Sequence, residues 1–149
     1  RFFLTPRVRV VLDRKEAYEA IRIRSVDLLK ETLVESKNMP PPLSVPDCSA
    51  AAGKSVVVNR YTPNDILLSV DSPCPSVLTS SEVMYPGWEA TIDGVRTDVF
   101  EGNLAFRTVL VPAGTHTIQF QFRPKIFMIG GAISLVTLIA CLIAVRKKI

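Results

Sequence analysis

The stretch Ile126–Val145, "IFMIGGAISLVTLIACLIAV", constrains this chain most: twenty consecutive residues without a charge. A helix rises about 1.5 Å per residue, so this stretch would cover about 30 Å, the thickness of a bilayer's hydrocarbon core. A soluble helix buried in a globule is the alternative, but such helices rarely run so long without a polar face. The reading is a transmembrane helix over 126–145. It is closed by Arg146, Lys147 and Lys148 in a basic tail, 146–149. Cations on that flank place the tail in the cytoplasm and residues 1–125 outside, with Arg123 and Lys125 pulling weakly the other way. The C-terminal position of the segment excludes a secretory signal peptide. Gly130, Gly131 and Ser134 put small side chains on its early turns, where a second helix could approach closely.

Charge says little about partners once the anchor is set aside. Without the three tail cations, Lys+Arg falls from 18 to 15 against 14 Asp+Glu, so a net +4 becomes +1. No basic stripe for nucleic acid remains. The length leaves room for one domain with its own core ahead of the span. Of the three cysteines, Cys141 lies in the span. Cys48 and Cys74 flank an expected strand and pair as a disulfide in an oxidising compartment; two buried thiols are the alternative.

The head reads as mainly β. "PRVRVVL" (Pro6–Leu12) alternates apolar and basic residues and predicts a strand. "DRKEAYEAI" follows, with Asp13 and Glu16 at capping-box spacing, and predicts a short helix. "KETLVES" (Lys30–Ser36) is a second expected strand. Asn38–Gly53, "NMPPPLSVPDCSAAAG", has four prolines in sixteen residues, which excludes a central strand or helix. It is an extended loop over 38–53, either a partner contact or a solvated excursion. From Lys54 onward strand patterns recur: "KSVVVNRY", "DILLSVDS", "SVLTSSEVMY", "WEATI", "VRTDVF", "AFRTVLV" and "HTIQFQF". The last places Ile118, Phe120 and Phe122 on a buried face and Thr117, Gln119 and Gln121 on a wet one. The expected class is an antiparallel β-sandwich or meander, α+β at its N-terminal end, with a C-terminal transmembrane helix.

Candidate chemistry concentrates in "MYPGWEATIDGVRTDVF", Met84–Phe100, which holds the only tryptophan. Pro86, Gly87 and Trp88 stand where one strand gives way to the next. Trp88 is either a stacking platform for a sugar or, more commonly, an aromatic anchor of the core. Asp93-Gly94 makes a tight primed hairpin turn, because glycine there allows φ > 0. Glu89, Asp98 and Glu101 are acidic enough for acid–base work, but hairpins normally carry such charges on the wet face. These residues are read as a fold-defining hairpin. His116 is the only histidine, so histidine-based metal sites and base–nucleophile pairs have a single donor. No Cys-x-x-Cys, Gly-x-Ser-x-Gly or phosphate-cradling glycine loop accompanies it. It is read as a surface residue, and no catalytic residue, metal ligand or cofactor site is assigned.

"YPGWEATIDG", a strand, "VPAGTHTIQFQFRP" and an immediate membrane span together resemble the C-terminal end of bacterial YfhO-type membrane proteins, which are multi-spanning and akin to the GT-C class of glycosyltransferases. "TPRVRVVLDRKEAYEAI" resembles the opening of the same extracytoplasmic region. The resemblance implies a fold and a topology: a head outside the bacterial inner membrane, held by one helix. It implies no catalytic residue here, because the acidic residue of such transferases would lie in an early loop between spans. The loop at 38–53 and the cysteine pair stand apart from the pattern.

Three functions follow as expectations. The first is a non-catalytic accessory subunit that meets other membrane-protein subunits and the bilayer. The second is the terminal piece of a lipid-linked sugar transferase; a start at Arg1 predicts cleavage or a longer reading frame. The third is a carbohydrate-binding module using Trp88 and nearby tyrosines. The first is preferred.

Overall fold

The computed structural model describes residues 1–38 and 56–146, with side chains at 125, 128 and 144 outside that description. The chain opens with β1 (Phe2–Thr5) and β2 (Arg7–Val11). Pro6 separates them, and with no N–H to donate it cannot continue a ladder. There the chain leaves one sheet for another. Helix α1 (Arg14–Arg22) then carries it to β3 (Glu31–Glu35). β2 and β3 are parallel, and a parallel pair needs such a crossover.

The start of α1 is set by its cap. Asp13 accepts the Glu16 N–H at 2.9 Å. The Glu16 carboxylate returns to the Leu12 N–H at 2.7 Å, one residue earlier than the expected capping box has it. Ala17 and Ala20 face Val11 and Leu33, forming a small core beneath the helix.

The other strands are β4 (Val56–Tyr61), β5 (Asp65–Ser72), β6 (Ser76–Val83), β7 (Trp88–Ile92), β8 (Val95–Thr97), β9 (Phe100–Gly102), β10 (Phe106–Val111) and β11 (Gly114–Phe122). They form two antiparallel sheets, one ordered β4-β5-β11-β7-β8 and the other β1-β6-β10-β9. Leu4, Leu78, Val109 and Val111 of the second face Ile66, Leu68, Val70, Ile118 and Phe120 of the first. The structure is therefore a sandwich and not a meander: β1 crosses to β6, and β5 pairs with β11.

A third layer covers the outer face of the four-stranded sheet. Val77 and Phe100 pack there against Val34 of β3. A buried chain of hydroxyls runs from Thr5 to Thr32 at 2.6 Å and on to Thr79 at 2.8 Å, tying the layers together. Asn103 docks beside β3: its N–H donates to the Leu33 carbonyl and its Oδ1 accepts the Leu33 N–H, both at 2.8 Å. A side-chain amide thus imitates a strand neighbour.

One strand expectation needs correction. "VRTDVF" is not one strand but two, in different sheets: β8 pairs with β7, and β9 with β10. The switch at Asp98-Val99 follows from burial, since Val99 packs on the sandwich core and Phe100 on the outer cluster. The Asp93-Gly94 turn forms as expected, with φ of 51° and 81°.

β11 runs almost directly into helix α2 (Lys125–Arg146), 22 residues long. Among the described residues no helix is long and apolar enough to cross a membrane, so the expectation at 126–145 is supported as a C-terminal helix and not as a transmembrane span. Lys147 and Lys148 of the basic tail, and nearly all of the loop at 38–53, lie outside the described residues.

Candidate ligand site at the junction of sheet and helix

Five strands bring a polar and aromatic cluster together at the end of the sandwich from which α2 departs. At its centre is Arg107 of β10, only 2% exposed. Its guanidinium carbon lies 3.7 Å from the centre of the Trp88 ring and 5.6 Å from that of Phe120, a cation–π stack. Glu82 of β6 supplies the countercharge: one carboxylate oxygen accepts from Arg107 Nη2 and the other from the Tyr61 hydroxyl. Arg1 closes the cluster, 3.7 Å from Glu82 and 4.8 Å over the Tyr61 ring. Burial pulls the Arg107 pKa down against the opposing pull of Glu82. The hydrogen bond to the Glu82 carboxylate raises that of the Tyr61 phenol. Nε and Nη1 of Arg107 are buried and have no hydrogen-bond partner among the described residues. The aromatic faces around them thus carry part of the compensation for lost water.

Beyond Trp88 lies a cavity of about 280 Å³ where the head meets α2. Trp88 packs against Phe122, with ring centres 5.3 Å apart, and Tyr85 lies 6.3 Å from the same ring. The Pro86-Gly87 segment forms one wall, and Pro124 with Ile126 the facing one. These walls are fastened: the Arg123 N–H donates to the Gly87 carbonyl at 2.6 Å. Gly87 has φ of 111°, and a Cβ there would stand 3.1 Å from Pro124 Cα. Only glycine suits both the conformation and the approach. The polar lining is Glu89, Arg96 and Arg123, with Glu89 and Arg96 paired at 2.7 Å. Two guanidiniums and one carboxylate leave one positive charge.

The family model described as bacterial membrane protein YfhO matches residues 48–134, more than half of the chain. The chain belongs to the YfhO family. No curated protein and no solved structure matches it. The YfhO match includes the junction cavity, the Arg107 cluster apart from Arg1, and the first turns of α2. Residues 1–47 lie outside it, including the upstream stretch that resembles the start of the YfhO extracytoplasmic region.

Within this YfhO head, the residues singled out from sequence separate into two groups. Pro86, Gly87 and Trp88 do more than define a hairpin, since all three line the cavity. Trp88 is half-buried and packs on the core, with Arg107 over its ring. Asp93 and Gly94 form the turn, away from the cavity lining. The acidic residues are not gathered into a pair: Glu89 binds Arg96, Glu101 binds Arg14 at 3.0 Å, and Asp98 is exposed. His116 is not a plain surface residue. Its Nδ1 lies 2.7 Å from Asp93 Oδ2 and its Nε2 lies 3.2 Å from the Ala113 carbonyl. Asp93 also accepts the Thr117 N–H at 2.8 Å.

Among the described residues no group of three or more His, Cys, Asp or Glu is placed to hold a metal ion. Cys74 is disulfide-bonded and Cys141 is free; Cys48, its expected partner, lies outside the described residues. Among the described residues nothing from outside the helix lies within 4 Å of where a Cβ on Gly130 or Gly131 would stand, and Ser134 is exposed. Sequence reasoning missed Tyr61, Glu82 and Arg107 altogether. The one available signal was an arginine within the apolar run "AFRTVLV".

Proposed function

We propose that this chain is a non-catalytic, membrane-anchored module of the YfhO family. Its β-rich head lies outside the cytoplasmic membrane and its helix meets other membrane segments. The exposure of α2 carries this reading. Every large apolar side chain described on it, from Ile126 to Val145, is exposed, and none packs on the head's core clusters. Burying each such side chain is worth about 1.5–3 kcal/mol, so a helix apolar on all sides is unfavourable in water. It requires lipid or partner helices around it. Thr137 fits the same need, returning its hydroxyl to the Ile133 carbonyl at 2.9 Å.

Two further observations support the orientation. A disulfide at Cys74 suits an oxidising, extracytoplasmic compartment, and we assign Cys48 as its partner. Arg146, followed by Lys147 and Lys148, suits a cytoplasmic end. The small residues Gly130, Gly131 and Ser134 offer α2 a surface for a second helix.

A second reading follows from the family itself: the head and helix are the terminal part of a larger YfhO-type, transferase-like polypeptide whose other spans do the chemistry. The helix would then meet spans of its own chain. An antibody to the head, used on native membranes, separates the two: a band near 16–20 kDa supports a separate accessory subunit, and one several times larger supports the terminal part. For either, the chain is expected to float with lipid vesicles and to resist extraction by alkaline carbonate. Recovery as a monomer in detergent-free buffer would refute the anchor.

A further inference from the structure

We propose that the cavity beside Trp88 binds the phosphate of an anionic membrane phospholipid, with Arg123 and Arg96 as its ligands. The inference rests on the reading of α2 as a membrane helix and adds a ligand to it. A crossing helix that begins at Lys125 sets residues 123–126 at the depth of the lipid headgroups, where tryptophan and tyrosine also concentrate. Trp88 lines the cavity at that level, and Tyr85 stands beside it against Phe122.

The charge fits. Arg96 is engaged by Glu89 at 2.7 Å, and no ion pair joins Arg123 to a described carboxylate. The single positive charge left over matches the net negative charge of a phospholipid such as phosphatidylglycerol, whereas the choline of phosphatidylcholine cancels its own phosphate's charge and would meet a site that is already positive. Planar guanidiniums bind phosphate oxygens through paired N–H donors, and basic pockets at a membrane surface recognise lipid headgroups in this way.

The size and walls fit too. A volume of about 280 Å³ falls just under the usual range for drug-sized ligands. It suits a phosphate with its glycerol. Ile126, 81% exposed, continues the apolar wall onto the exposed side chains of α2, so acyl chains have a path downward. The hydrogen bond between Arg123 and Gly87 fixes the two walls in advance, which lowers the ordering cost of binding.

Trp88 is the only tryptophan, so its fluorescence reads this cavity directly. The whole chain in zwitterionic detergent would be titrated with dihexanoyl phosphatidylglycerol, dihexanoyl phosphatidylcholine and inorganic phosphate. The expected result is a saturable shift of Trp88 emission with phosphatidylglycerol, at concentrations about tenfold below those of the other two. Arg123→Gln is expected to weaken that response about tenfold and Arg123→Lys by less, as for loss of a charge-assisted bond. Circular dichroism of each variant would check its fold. Equal responses to the two lipids, or an unchanged response in Arg123→Gln, would overturn the site. Inorganic phosphate acting as well as phosphatidylglycerol would reassign it to a free anion. Vesicle flotation keeps the two readings apart: a chain that floats but shows no lipid response loses only this site, whereas one that does not float loses its anchor.

Discussion

Asp93 and His116 show how one side chain can serve two masters. Asp93 shapes the β7–β8 turn and also holds the Thr117 N–H and the His116 ring. Both partners of the ring are acceptors, so the imidazolium satisfies them together, whereas the neutral ring has one N–H for two. The hydrogen bond to Asp93 accordingly raises the His116 pKa from its ordinary 6.5, and the same bond, with that from Thr117, lowers Asp93 from 3.8. A raised histidine stabilises fully below its unfolded value and loses this as pH rises through its folded value. A lowered carboxylate stabilises above its unfolded value and loses this as pH falls through its folded one. The pair is therefore most effective from about pH 4 to about 6.5. Asp93→Asn keeps a residue that tolerates positive φ and is expected to return the histidine to near 6.5, read from its ring proton shifts by NMR; an unmoved titration would refute the linkage. Arg107 poses a different balance. Glu82→Ala strands a buried guanidinium and is expected to cost about 3 kcal/mol, the low end for such losses because Glu82 is partly solvated. Adding Arg107→Met should recover most of that in urea melts, since both charges then leave together.

Elements differ in how clearly their sequences announce them. α1 was legible through Asp13 and Glu16, the hairpin through Asp93-Gly94, and β11 through strict alternation. Each signal is local, a cap, a positive φ or a period of two. β1 was not legible, because "FFLT" has burial on both faces and no alternation. The break inside "VRTDVF" was hidden for a related reason: adjacent Val99 and Phe100 serve different cores, and only the assembled sheets tell them apart. The site suffered most, for Tyr61, Glu82, Trp88 and Arg107 come from four strands and converge only through strand order. The threonine chain between layers also has no signature in sequence. Thr32→Val keeps the shape but removes the central hydroxyl, leaving Thr79 without that partner. A loss of about 1–3 kcal/mol is expected, lowering Tm by several degrees; an unchanged Tm would mean the layers are held by apolar contact alone.

For the whole molecule, fold class and helix placement could be read from sequence, since long apolar runs and recurrent strands are coarse signals. The third layer could not, because it depends on one proline diverting the chain after β1. The disulfide at Cys74 acts at this scale as well. With Cys48 as its partner it would close residues 48–74 into a loop, and a closure of that size is worth about 3.5 kcal/mol. Cys74→Ser is expected to lose about that much, with urea unfolding as the measure; no loss would mean the bond closes nothing that the folded head needs. Arg123 and Pro124 are all that separate β11 from α2, and the backbone bond from Arg123 to Gly87 leaves them little slack. A rod joined so stiffly to a plate transmits tilt: if the helix sits in a membrane, as proposed, and leans to follow its thickness, the sandwich must lean with it, turning its far edge toward or away from whatever lies alongside.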